Sequence, residues 1–389
     1  MKLLRIASTS RLIAFVAVVL AVLVGSAIAV AASGGTGPTP PAEPLDQAIH
    51  DAVTAPQPDG ITAHVKFTNN LFPSGALTGQ TGSALMTGAD GRLWVDSTGG
   101  RVELQSDAGD VQITWNASKV TVYDASSNTA YTADLPTSST STSTADTPPT
   151  LDQITTFLTD LGKHWDISGA TPSNVGGQEA YTVSVSPAHD GGLLGSVELA
   201  WDAAHGTPLK IAVYAQGSAA PALALEVTDI TYGAVASSDI AVSPPAGAKV
   251  VDLSSQTGSS SSGTEPAPVT GLAAVAAAAP FTVAAPDSLV GLPLKDIRLV
   301  GPTDQRSVIA VYGEGLGAIV VVEHATDTTA STPAGGLDSL PTVSLDGLTA
   351  HELSTELGTV LSWDKGGVSF VLAGSVPTAA AESAARAIG

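Results

Sequence analysis

From residue 101 to 123 the chain reads RVELQSDAGDVQITWNASKVTVY, the centre of a longer stretch, Thr62–Leu135, whose reading decides the fold. Val102 and Leu104 alternate with Glu103 and Gln105; Val111, Ile113 and Trp115 alternate with Gln112 and Thr114. Such period-two patterning describes half-buried strands. Val65 and Phe67 continue it upstream, Val120–Tyr123 and Ala130–Thr132 downstream. Ala89-Asp90-Gly91, Asp107-Ala108-Gly109, Asn116-Ala117-Ser118 and Asp124–Asn128 lie between the runs and read as turns. The sum is an antiparallel meander with one apolar and one polar face.

Working outward, Leu45, Ile49 and Val53 predict a short amphipathic helix before the first strand. Pro136–Pro149, mostly Ser and Thr, reads as a disordered loop. Thr150-Leu151-Asp152-Gln153 opens a helix with a capping box. Leu151, Ile154, Phe157, Leu158 and Leu161 then share one face, with Gly162 just past the end. Alternation returns in Tyr181–Val185, Val197–Trp201, Leu209–Val213 and Leu223–Val227, with turns at Asp190-Gly191-Gly192 and Asp202–Gly206. Strand runs with few helices predict an α+β domain. A curved antiparallel half-barrel covered by helices would leave an apolar pocket between the layers. Its expected lining is Phe67, Leu104, Ile113, Trp115, Ile154, Phe157, Leu158, Leu161, Val183, Leu199, Trp201 and Ile211.

Ser254–Thr270 is a Ser/Gly/Pro-rich linker. Beyond it, Val269–Ala279 is helix-prone up to Pro280. Val308–Val311 and Ile319–Val322 flank Tyr312–Gly317. The GxG there is followed by a strand, so no helix N-terminus is offered to a phosphate, and a hairpin is expected. Asp346-Gly347 and Asp364–Gly367 mark two more hairpins, and Ala379–Ile388 a closing helix. The expected division is therefore 1–43, 44–253, a linker at 254–270, and a small α+β domain at 271–389.

At the N-terminus, Lys2, Arg5 and Arg11 precede an uncharged run of 21 residues, Leu12–Ala32. At ~1.5 Å per residue it spans a ~30 Å hydrocarbon core. It is an anchor or a cleavable signal, since Ala29-Val30-Ala31 offers a small-x-small site; its length favours the anchor. Either way the folded domains lie outside the membrane. Ser33–Glu43 reads as a flexible stalk. Fifteen basic against 36 acidic residues, a net charge of −21, argue against nucleic acid as a partner. No cysteine is present, which excludes disulfides and thiolate chemistry. His50, His64, His164, His189, His205, His324 and His351 form no HExxH, and neither a GxSxG elbow nor a P-loop occurs. No enzyme, cofactor or metal site is expected.

Gly82-Ser83-Ala84-Leu85, the Trp94 region, Val120–Asp124 with Asn128–Ala130, Gly176–Tyr181, Val197–Asp202, Gly206–Lys210 and Pro244–Val250 follow one another in the order found in the LolA-like superfamily. The chain resembles that superfamily over roughly residues 44 to 253. It comprises periplasmic lipoprotein carriers, RseB-like sensors and LppX- and LprG-like lipid-binding proteins. The resemblance implies a half-barrel closed by helices around an acyl-chain cavity, with a lipid or lipoprotein as ligand. It also implies an RseB-like alternative: a sensor that contacts an anti-sigma-type membrane protein. The lipidated relatives' N-terminal Cys is missing, and Arg92 and Arg101 stand nearest to the carriers' basic gate. The C-terminal region resembles the domain of unknown function DUF4367.

Overall fold

The computed structural model describes residues 37–71, 84–135, 148–189, 191–253, 269–301, 306–326 and 340–388. Leu12–Ala32, most of the Pro136–Pro149 loop, Asp190 and nearly all of the linker lie outside the described residues. Among the described residues no helix is long and apolar enough to cross a membrane. Two compact units emerge: 37–70, 84–188 and 195–253 in the first, and 71, 189, 191–194 and 269–388 in the second. Both are mostly antiparallel sheet with few helices, an α+β class.

In the first unit, helix α1 (Leu45–Thr54) precedes β1 (Gly60–Asn69), and the one-turn helix α2 (Ala84–Thr87) precedes the meander β2 (Ala89–Asp96), β3 (Gly99–Ser106), β4 (Gly109–Asn116), β5 (Lys119–Asp124) and β6 (Thr129–Asp134). After α3 (Leu151–Leu161) come β7 (Trp165–Ile167), β8 (Thr171–Val175), β9 (Gln178–Pro187), β10 (Leu194–Asp202), β11 (Pro208–Ala215) and β12 (Pro221–Tyr232). A single turn α4 (Ser237–Ile240) and β13 (Lys249–Asp252) finish the unit. One 13-stranded sheet results, in the order β13-β6-β5-β4-β3-β2-β1-β12-β11-β10-β9-β7, with β8 beside β9. The two halves meet where β1 pairs with β12, Phe67 opposite Leu225. Among the described residues the meander ladders β2 to β6 are antiparallel, and β13 joins β6 in parallel.

Local chemistry explains most element ends. Asn116 Oδ1 accepts from the Ser118 and Lys119 amides, closing the β4–β5 turn. Asn128 takes a left-handed φ of 47° at the β5–β6 turn, a conformation its short polar side chain tolerates. Both arms of the Thr150–Gln153 capping box are formed. Gly162, however, ends α3 at φ −63°, so its left-handed freedom is unused. Ala89-Asp90-Gly91 is not a turn but the start of β2. Gly91 is needed there because a Cβ would run into the Glu103 carbonyl of the next strand. The β2–β3 turn lies at Asp96–Gly99, where Asp96 Oδ1 accepts from the Thr98 and Gly99 amides. Residues 37–43, expected as stalk, are partly tied down: Asn174 Nδ2 donates to Pro38 O at 2.9 Å and Tyr181 Oη to Pro41 O at 2.7 Å.

The second unit holds β14 (Val269–Thr270), α5 (Leu272–Ala278), β15 (Ser288–Leu289), β16 (Leu292–Val300), β17 (Ser307–Tyr312), β18 (Ile319–Ala325), β19 (Thr342–Leu345), β20 (Leu348–Thr355), β21 (Gly358–Lys365), β22 (Val368–Gly374) and α6 (Thr378–Ile388). Its nine-stranded sheet runs β14-β16-β17-β18-β22-β21-β20-β19, with β15 on β16. The helix expected from Val269 starts only after Gly271, because Val269 and Thr270 pair with β16 instead. The Tyr312–Gly317 segment joins two antiparallel strands, as the hairpin reading requires. Asp346 and Gly347, both at positive φ, form the β19–β20 turn. Ala381, Ala384, Ala385 and Ile388 of α6 are buried against the sheet's core.

Packing in the first unit gives a direct test. Trp115 lies opposite Gly100 on the neighbouring strand, and a Cβ at Gly100 would enter the indole ring. Gly100→Val is expected to displace Trp115 and cost about 2 kcal/mol. Urea denaturation followed by tryptophan fluorescence checks it; an unchanged midpoint would show the ring free to move.

Candidate apolar site of the first unit

The meander's apolar face assembles a single buried cluster. Ala63, Val65 and Phe67 of β1, Val102 and Leu104 of β3, Val111 and Ile113 of β4, and Val227 and Ile230 of β12 belong to it, with Trp115 packed against it. Of the expected lining, this brings together Phe67, Leu104, Ile113 and Trp115. Its helical cover comes from Ala84 and Leu85 of α2, an element the sequence did not announce. Ile211 shares this face by register, opposite Leu225, itself opposite Phe67.

The remaining expected residues gather elsewhere. Val183 is buried on β9 opposite Leu199 of β10, and Trp201 sits opposite Tyr181 with ring centroids 6.2 Å apart. On α3 only Ile154 is buried; Leu158 and Leu161 are half-buried, and Phe157 is 62% exposed. Helix α3 packs on α1, and Thr155 Oγ1 donates to Asp46 Oδ2 at 2.9 Å. The α3 stripe is thus incompletely covered.

The opposite face of the sheet carries charge in register. Asp90, Lys66, Glu226 and Lys210 stand opposite one another across β2, β1, β12 and β11. Lys210 Nζ reaches Glu198 Oε1 of β10 at 2.7 Å. Alternating signs on adjacent strands are the favourable cross-strand arrangement. Burial nonetheless holds the Glu226 carboxyl above its usual range, outweighing Lys210 and Lys66. Beside this row, Lys66, Phe67, Thr68, Gly88, Ala89, Asp90, Gln105, Ser106, Asp107 and Asp110 line a pocket of about 740 Å³. Phe67 is the one expected lining residue that reaches it.

The turn expected at Asp202–Gly206 is formed, but its partner Tyr232 and the surroundings of Arg101 were not legible from period-two reading, which registers only which face a residue takes. Asp202, 2% exposed, accepts from the Ala204 and His205 amides at 2.8 Å and from Tyr232 Oη at 2.7 Å. His205 stacks on Tyr232, centroids 3.9 Å apart. Burial first, then the Asp202 bond, raises the Tyr232 phenol. Tyr181 is likewise pushed up to about 12, by burial and then by Glu43. Arg101, beside Glu103, lies over the Trp94 ring at 4.8 Å and donates to Asp239 O. Burial lowers its guanidinium against the opposing charge of Asp239. Among the described residues no group of three His, Asp or Glu could hold a metal ion.

No protein-family model matches the chain, and no curated protein does. Solved structures do align. The Pseudomonas aeruginosa MucA/MucB complex matches at 16% identity and TM-score 0.41, over 88% of this chain and 95% of that one. An uncharacterized conserved protein from Thermus thermophilus matches at 13% and 0.34, over 53% and 98%. A domain named for outer membrane lipoprotein sorting, from Vibrio parahaemolyticus, matches at 11% and 0.21, over 51% and 94%. Likenesses of this depth leave the α+β class resting on the strand pairing described above.

Proposed function

We propose that the first unit is a non-enzymatic binding domain that holds an acyl chain of a lipid or lipoprotein against the apolar face of its sheet, outside the membrane that Leu12–Ala32 enters. The observation that carries this is the sheet's apolar face, whose residues run continuously over β1, β3, β4 and β12 with helical cover from the one-turn α2, while the α3 stripe of the same unit, packed on α1, is only half-covered. Open sheets beyond ~10 strands curl, so thirteen strands favour the half-barrel that a chain-shaped ligand needs. Each CH₂ taken from water contributes about 0.8 kcal/mol, enough for a single chain to bind reversibly. The order of sequence patterns resembling the LolA-like superfamily supports the same ligand class.

Native mass spectrometry of the purified full chain is expected to show co-purified lipid, and a fluorescent fatty acid to be taken up. Ile211→Lys, which sets a charge on the apolar face, should weaken uptake at least about tenfold, roughly 1.4 kcal/mol. Absence of both bound lipid and uptake would remove the reading.

A second reading is favoured by the second unit's own buried core, which a simple carrier does not require. In it, the DUF4367-like unit contacts an anti-sigma-type membrane protein, and the lipid-binding unit senses. Removal of residues 254–389 then abolishes the signalling phenotype; an unchanged phenotype excludes it.

A further inference from the structure

The helix pair of the first unit leaves large apolar side chains in water. Phe157 of α3 is 62% exposed, Val53 of α1 44% and Leu151 of α3 38%. Singly exposed aliphatic residues are ordinary. A phenylalanine left mostly in water on one of two packed helices is a larger exposed apolar surface than such a residue.

The course of the chain shows what stands near it. Asn174 and Tyr181 fix the Pro38 and Pro41 carbonyls, Pro40 is buried, and the Ala48 amide donates to Pro44 O as α1 begins. The chain is therefore tied to β8 and β9 at Pro38 and Pro41 just before it enters α1. Upstream, the uncharged run ends at Ala32, six residues before Pro38. Six residues reach at most about 22 Å. A bilayer that takes up Leu12–Ala32 thus lies within one short tether of Pro38, seven residues before α1 begins.

We propose that the α1–α3 face is a docking surface for that bilayer, with Phe157 set into the boundary between headgroups and acyl chains. This rests on the membrane reading of Leu12–Ala32 and not on the acyl-chain ligand. The surface it fits is zwitterionic: Asp46, Asp51, Asp152 and Asp160 lie on the two helices, and anionic headgroups would repel them. Aromatic rings hold such interfacial positions because one apolar face is buried while the helix backbone stays at headgroup level.

The chain has no cysteine, so one nitroxide can be placed at will. Full-length Phe157→Cys, spin-labelled, is reconstituted in phosphatidylcholine vesicles and in detergent, with Ala117→Cys at the exposed β4–β5 turn as reference. Collision with a water-soluble nickel chelate is expected to fall at least threefold at 157 on going to vesicles, and collision with oxygen to rise, while 117 stays aqueous. Vesicle flotation with an equally aqueous label at 157 overturns the proposal while sparing the anchor. Dipolar broadening between labels overturns it in favour of a second copy covering the face. Failure to float overturns the membrane reading of Leu12–Ala32 and the docking with it.

Discussion

Glu323→Gln is expected to raise the melting temperature of the second unit at pH 8 and leave it nearly unchanged at pH 4. Glu323 projects from β18 into the core row between Val308 and Phe370 and is 0% exposed. Its Oε2 accepts from the Ala284 amide at 2.9 Å; among the described residues Oε1 has no hydrogen-bond partner. The Tyr312 hydroxyl is buried nearby, also without a partner, and is pushed up to about 12 by burial, then by the charges of Glu323 and Asp287. Burial, against the Ala284 hydrogen bond, raises the carboxyl above its ordinary 4.5.

A carboxyl raised on folding binds its proton more tightly in the native state. Its contribution to stability is complete below about 4.5 and is lost as pH climbs through the folded value. Glutamine keeps the shape and the acceptor for Ala284 but never ionises. The gain at pH 8 is about 2 kcal/mol, or about 8 °C for a domain of this size. Calorimetry across pH, with amide exchange at Ala284 as a local reading, checks it. A lower melting point for the glutamine variant at pH 8 would mean that the ionised carboxylate is satisfied, and would defeat the assignment.

The opposite sign is expected at the other buried carboxylate. Asp202→Ala should destabilise the first unit by about 2–3 kcal/mol. One buried side chain serves two turn amides and the Tyr232 hydroxyl at once, and alanine would take the side-chain acceptor from both amides and leave the phenol with Thr207 alone. The same turn supports α1: Gly206, at φ 64°, sits so close under the Ala52 carbonyl that a Cβ would collide with it. Loosening the turn therefore loosens the helix pair that carries Phe157. Urea titration measures the loss, and a double-mutant cycle with Tyr232→Phe isolates the phenol's share. A loss below about 1 kcal/mol, the worth of one ordinary hydrogen bond, would show the turn held by its backbone alone.

Much of the strand content was legible because alternation is a local property. Val102/Leu104 and Val111/Ile113 declare which face they take, and Asn116 and Asp346 declare the turns, without any knowledge of the rest of the chain. The Thr150–Gln153 cap was equally local. Glycine was the less faithful guide. Gly91 read as a turn and proved to be a place where strands approach closely, since a missing side chain serves either purpose. The expected pocket lining dispersed for a related reason: the face a residue takes says nothing about which helix will cover it. Phe67, Leu104 and Ile113 went under α2, while the α3 stripe went to α1.

The amino-acid sequence by itself determined the α+β class, most of the strands, the capped helix and the absence of thiol chemistry, because each follows from spacing within a few residues or from composition. Only the tertiary structure decided that β1 joins β12, that Asp90, Lys66, Glu226 and Lys210 fall into one row, and that Glu323 is sealed in a core. Those outcomes depend on register between segments far apart in the chain, and period-two patterning fixes a strand's faces without fixing its neighbour.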